Sequence, residues 1–197
     1  MIMIMSDQIK AVFASVFASG RPQALEPGQT LFRTDDPVRR MYLVQAGSVD
    51  LVRHTPNGTR LLLTRVQAVQ VLAEASAYSP RYHCDAVVNT AASLQSLPVS
   101  EFREAVHDDP ETARLWAMLL ARQLQAARML SEIRSLKTVA ERLDAWLSDN
   151  HTLPPKGQIQ TLAHLLSVSR EALYREIARR GGPDGLRRSA RSGADRP

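Results

Sequence analysis

Four side chains near the C-terminus have the types and spacing to read a polyanion. Ser169-Arg170-Glu171 is followed by Tyr174 and Arg175. If Ser169 caps a helix, Arg170, Glu171, Tyr174 and Arg175 project together from the outer face of its first turns. Arginine can donate bidentately to guanine and glutamate can accept from cytosine. Lys156, upstream in a polar Pro-containing link, suits a phosphate contact. The charge distribution agrees with a polyanion partner. Residues 1–150 carry 16 Lys/Arg against 16 Asp/Glu, and residues 151–197 carry nine against four, so the formal +5 lies in the last 47 residues. A basic segment on a neutral body points to nucleic acid. A plain helical hairpin with a solvated charged face would share some of these features.

The remaining chemistry is sparse. The single cysteine, Cys84, excludes a disulfide framework and any cysteine-only metal or iron–sulfur site. There is no phosphate-binding glycine loop, no metal-spaced His/Asp cluster and no nucleophile motif, so neither catalysis nor a metal is expected. His54, His107, His151 and His164 are scattered. No apolar run approaches the length of a bilayer span, and Met1 to Met5 lack a basic stretch and a cleavage pattern. The expectation is a cytoplasmic protein without a membrane partner.

Three kinds of element must position these residues. Ile9, Val12, Phe13, Val16 and Phe17 recur at helical spacing and predict a short opening helix. From Leu25 to about Val99 the chain turns to short strands: 41–44, 49–52, 61–63, 86–88 and 94–99. Gly47 separates the first two, and Pro56-Asn57-Gly58 signals a hairpin. Asp108-Asp109-Pro110-Glu111 reads as a helix start. In the long helix that follows, Leu115, Leu119, Arg122, Ala126, Met129, Ile133, Leu136 and Ala140 alternate steps of four and three. That is a heptad seam, expected to pair with a second copy. Arg122, the charged member of the seam, is a candidate effector contact. A second helix spans about 138–147, and 160–179 predicts two helices joined at Ser167-Val168. Leu162, Ala163, Leu166, Val168, Leu173 and Ile177 form their shared face. Asp184-Gly185-Leu186 starts a segment where a β-hairpin wing would lie.

Ser169-Arg170-Glu171 with Arg175 resembles the recognition helix of Crp/Fnr transcription regulators. Leu25-x-Pro27-Gly28-x-x-Leu31-Phe32, Tyr42-Leu43-Val44-x-x-Gly47-x-Val49 and the Gly58 hairpin resemble that family's cyclic-nucleotide-binding β-roll. The resemblance covers about residues 8–180. It implies a homodimer on a near-palindromic duplex-DNA operator, with guanines facing the arginines, acting through RNA polymerase contacts. It also implies an effector site at Glu74, Arg81, Tyr82, His83 and Cys84. There the family's Gly-Glu pair reads Ala73-Glu74, an earlier turn glycine is Val69, and the Arg-Ser anchor reads Tyr82-His83-Cys84. Hydroxyl residues that meet adenine become Ala127 and Arg128. Neutral histidine replaces a fixed guanidinium poorly, so cyclic AMP is not the expected effector, although Arg81 could take over as anchor. Haem ligation by His83 or Cys84 and a redox role for Cys84 stay open beside the plain reading of a buried thiol.

The expected fold is α+β: a jelly-roll sensor over residues 1–108, a dimerisation helix over 109–137 and an incomplete winged helix-turn-helix over 138–197. Leu115, Leu119, Ala126, Met129, Ile133 and Leu136 are the expected dimer contacts. The competing function is a dimeric small-molecule, haem or redox sensor with a degenerate DNA-binding domain.

Overall fold

The computed structural model describes residues 7–150 and 152–182. Two long strands organise its N-terminal part. β3 (Arg40–His54) and β6 (Asp85–Pro98) run antiparallel, with Arg40 opposite Pro98 and Val52 opposite Asp85. β1 (Arg21–Leu25) flanks β6 and β4 (Arg60–Gln67) flanks β3, in the order β1-β6-β3-β4. β2 (Thr30–Phe32) pairs with β6, and β5 (Gln70–Leu72) pairs with β3. All of these pairings are antiparallel.

Period-two alternation turns one side of β6 inward, whereas β3 is buried on both sides over residues 41–44 and 48–52. Tyr42, Val44, Val49 and Leu51 from β3 meet Ala86, Val88, Ala92 and Leu94 from β6, together with Phe32, Leu72, Tyr82 and Cys84. The separate strands expected on either side of Gly47 are one bent strand. Gly47 has φ +77° and sits among register shifts between Val44 and Val49. A Cβ there would come within 2.1 Å of the Ala91 carbonyl oxygen, so only glycine lets the backbones approach. The runs expected at 86–88 and 94–99 merge into β6 as far as Pro98, but Val99, expected in the strand, opens a helix instead. The hairpin stands as expected: Gly58, at φ +79°, donates its N–H to the Thr55 carbonyl at 2.8 Å.

Helices α1 (Asp7–Val16) and α2 (Val99–Asp108) bury an aromatic cluster with the start of α3 (Pro110–Ser135). Trp116 meets Phe13 edge-on at 5.6 Å and Phe102 at 5.0 Å, the arrangement that the ring quadrupoles favour. Asp109 caps α3, its carboxylate accepting the N–H and the hydroxyl of Thr112 at 3.0 and 2.6 Å.

The C-terminal part is helical. Thr138 and Glu141 form a capping box ahead of α4 (Val139–Asn150), with reciprocal bonds of 2.8 and 3.1 Å. After a single 3-10 turn, Lys156–Gln158, come α5 (Ile159–Leu165) and α6 (Arg170–Arg179). Ile133, Leu143, Trp146, Ile159, Leu162, Ala163, Leu166, Leu173 and Ile177 form the core, with Val168 packed against it.

The chain divides into two compact units between Ala121 and Arg122, inside α3. That boundary falls inside the span 109–137. No helix among the described residues is long and apolar enough to cross a membrane. Asp184-Gly185-Leu186 and the wing expected from it lie outside the described residues.

Burial within the chain takes up part of the seam. Leu115 and Leu119 are 0% and 1% exposed, and Ile133 is 3% exposed. Met129 is partly buried against the C-terminal core as well. Heptad spacing records which residues line a helix face, not which body covers that face.

Candidate functional site

The face of α6 away from the core collects the residues singled out in the sequence. Ser169 is its N-cap: the hydroxyl accepts the Ala172 N–H at 3.1 Å, satisfying a donor the helix leaves unpaired. Leu173 and Ile177 are buried, whereas Arg170, Glu171, Tyr174 and Arg175 are exposed. The Arg170 guanidinium lies over the Tyr174 ring, 5.4 Å from its centroid. This pairing one turn apart holds two of the four groups ready on the outer face. Lys156 opens the 3-10 turn before α5.

The turn ahead of α6 is built without glycine. Ser167 takes φ +53°, a left-handed conformation costing an L-residue roughly 1–2 kcal/mol. Guanidinium groups absorb the carbonyls exposed there. Arg142 Nη1 donates to the carbonyls of Leu166 and Ser167, both at 3.0 Å, and its Nε donates to that of Leu136 at 2.9 Å. Arg134 Nε donates to the Leu165 carbonyl at 2.8 Å.

The far end of α6 is pinned as well. Arg180 bonds Asp144 of α4, the Ala140 carbonyl and Glu176. Hydrogen bonds from Arg179 first, and then from Arg180, hold the Glu176 carboxyl down at about 2 despite partial desolvation. None of these clamps was expected from the sequence. Their partners lie far apart in the chain, and any exposed arginine looks alike in a one-dimensional reading.

In the β-roll, the segment expected to hold an effector is tied to the core. Val69 and Ala73, where glycines were expected, have φ +62° and +60°, so the backbone keeps a glycine-like path without glycine. Glu74 begins the single turn Glu74–Ser76. Arg81 is exposed and donates to the Asp35 carbonyl. Tyr82 is buried, stacks on Phe32 with centroids 3.7 Å apart, and donates to the Arg40 carbonyl at 2.6 Å. Burial raises its phenol above the usual range.

His83 is exposed, and its Nδ1 lies 3.2 Å from the Ser76 hydroxyl. Its carbonyl takes two bonds from Arg53, at 2.7 and 3.2 Å. Desolvation, then the Arg53 charge, holds its imidazole below the usual value. Cys84 is fully buried in the sheet core. Burial, with the Glu74 carboxylate adding to it, pushes its thiol up to about 11. A thiol held protonated among core side chains agrees with the plain reading of a buried cysteine. Arg122 lies half-buried on α3, in the C-terminal unit.

Sequence reasoning also missed a polar network in the sheet. Asp50, 3% exposed, accepts from Arg65 at 2.7 and 3.1 Å and from Arg60 at 3.0 Å. Arg65 continues to Asn89 Oδ1 at 2.9 Å, and Asn89 Nδ2 continues to the Ser48 hydroxyl at 2.9 Å. The network spans β3, β4 and β6.

Comparison with known proteins matches residues 22–109 to the model of the cyclic nucleotide-binding domain. Two relatives are named global nitrogen regulator. The one from Synechococcus elongatus is 26% identical over 130 residues, covering 64% of this chain and 58% of its own length. The one from Nostoc is 23% identical over 194 residues, covering 89% and 86%. The chain thus spans under two thirds of the first relative and most of the second. Among solved structures, FixK2 from Bradyrhizobium japonicum superposes with a TM-score of 0.65 at 20% identity, covering 81% of this chain and 83% of that one.

Proposed function

We propose that the chain binds duplex DNA sequence-specifically as a homodimer, a reading supported by the match of residues 22–109 to the model of the cyclic nucleotide-binding domain and by the fold it shares with FixK2. The observation carrying this reading is α6, capped by Ser169, with Arg170, Glu171, Tyr174 and Arg175 on its free face. Those types match base edges in the major groove, and the names of the relatives agree with a regulatory role. Regulation then runs through RNA polymerase.

For the homodimer, exposure on α3 favours a different set from the expected seam. Leu124 is 52% exposed, and Ala117 and Ala127 are exposed, with Leu120 half-buried. These four follow steps of three, four and three, and small residues among leucines let two helices approach closely. A Leu124→Glu variant should sediment as a monomer; a persistent dimer would place the interface elsewhere.

The effector is a molecule other than cyclic AMP. Supporting this, the expected anchor positions hold a buried, stacked Tyr82, a His83 turned to Ser76 and a core Cys84.

In vitro selection from random duplexes tests the DNA reading. The wild type should enrich a two-fold motif with half-sites about one turn, roughly 34 Å, apart. Arg175→Ala should flatten one position per half-site at a cost of about 1–3 kcal/mol. Lys156→Ala should weaken all sequences alike and lower the salt slope by about one unit. Failure of the wild type to enrich any two-fold motif at moderate salt would remove the proposal.

A further inference from the structure

We propose that Arg134 is a positioning residue that carries the orientation of the last turn of α3 directly to the turn in front of α6; the functional part rests on α6 reading DNA. α3 ends at Ser135 and α4 begins at Val139, so the chain crosses a short hinge before the C-terminal core is completed. A contact fixed to α4 alone would follow the C-terminal helices whatever α3 did. Arg134 lies on the α3 side of the hinge, and its Nε donates to the Leu165 carbonyl at 2.8 Å.

Leu165 is the last residue of α5. Carbonyls at a helix C-terminus lack intrahelical partners and carry the negative end of the dipole, so a guanidinium is favoured there. The next two carbonyls, of Leu166 and Ser167, are taken by Arg142 from the α4 side, and Arg142 also holds the hinge carbonyl of Leu136. Three successive carbonyls are thus gripped from both sides of the hinge. They lie where Ser167 adopts its left-handed conformation, and α6 begins three residues later at Arg170.

Apolar packing of Ile133 in the same core holds α3 close but allows sliding, because the hydrophobic effect is non-directional. The Arg134 hydrogen bond is directional and fixes the angle. A rotation of the end of α3 therefore moves the start of α6 without first bending α4.

The test uses the full chain as wild type, Arg134→Ala and Arg134→Lys. Amide hydrogen exchange at Leu166, Ser167 and Val168 is measured alongside binding to the selected duplex and to a random duplex across salt. Arg134→Ala should speed exchange in this turn and weaken the selected duplex, each by roughly tenfold. The gap to the random duplex should narrow while the salt slope stays unchanged, and Arg134→Lys, which keeps a donor there, should recover part of both effects.

Unchanged exchange in Arg134→Ala would overturn the proposal. So would faster exchange with unchanged affinity, since the clamp would then hold the turn without setting α6. A salt slope lowered by about one unit would overturn it too, by making Arg134 a phosphate contact. If the wild type selects no duplex, the DNA reading fails, and the exchange comparison still decides whether Arg134 couples α3 to the turn.

Discussion

The two compact units are stabilised in different ways. The sheet unit surrounds a cluster of fifteen buried residues and draws its polar groups inward, closing Asp50 into a network with Arg60, Arg65 and Asn89. The C-terminal unit has a core of nine and compensates at its surface, where Arg134, Arg142 and Arg180 grip backbone carbonyls and carboxylates. The first pattern suits a rigid scaffold with long-range pairing. The second suits a small helical unit whose last helix is held in direction by bonds, because few apolar contacts leave its orientation to directional interactions.

The largest expected effect comes from that small core. Leu143, 0% exposed, should cost about 2–5 kcal/mol when replaced by alanine. In calorimetry the C-terminal transition should move down while that of the sheet stays. A single transition shifting as a whole would erase the distinction between the units.

Next is the buried carboxylate. Asp50→Asn removes the charge that two guanidinium groups share. Breaking a buried pair costs about 3–5 kcal/mol, and with Arg60 about half exposed the expectation falls to about 2–3 kcal/mol. Chemical denaturation should show the loss in the sheet unit alone.

Acid should separate the units as well. The Glu176 carboxyl is held at about 2, against an ordinary 4.5, by Arg179 first and then Arg180. A depressed carboxylate contributes stability that is fully present above its unfolded value and is lost as pH falls through the folded one. The contribution should therefore hold above pH 4.5 and disappear toward about pH 2. Glu176→Gln should abolish that part of the pH dependence in melts of the C-terminal unit, and an unchanged profile would shift the acid sensitivity elsewhere.

The smallest effects are alike in both units. Val69 and Ser167 hold φ +62° and +53°. Replacing either with glycine relieves a strained conformation, offset in part by added freedom in the unfolded chain. Each should stabilise its own unit by about 0.5–1 kcal/mol, measured by thermal melts. Destabilisation by Val69→Gly would mean that its side chain contributes more packing than its backbone loses to strain.

Local features were legible in the sequence because their causes are local. The helix start at Asp109, the cap at Ser169, the Gly58 turn and the inward face Leu162, Leu166, Leu173 and Ile177 all follow from a residue and its neighbours within one or two turns. The outward set Arg170, Glu171, Tyr174 and Arg175 is the complement of that face. The glycine-like backbone at Val69 and Ala73 was legible as a missing residue type, but its persistence was not.

The sequence alone determined the period of the long helix, where α3 and α6 begin and which face of α6 is free, since each is set by spacing and by the chemistry of a few adjacent groups; it did not foresee α2, whose start at Val99 read as strand. Tertiary structure decided the rest. It decided that Leu115, Leu119 and Ile133 are consumed within the chain, that Gly47 bends a strand instead of ending it, and that Cys84 is a core thiol. It also decided that Arg134 and Arg142 hold a turn 31 and 24 residues away. Periodicity states that a side is apolar, or that a cation is exposed to solvent along the chain. Which body covers that side, and which carbonyl meets that cation, depends on packing between segments remote in sequence.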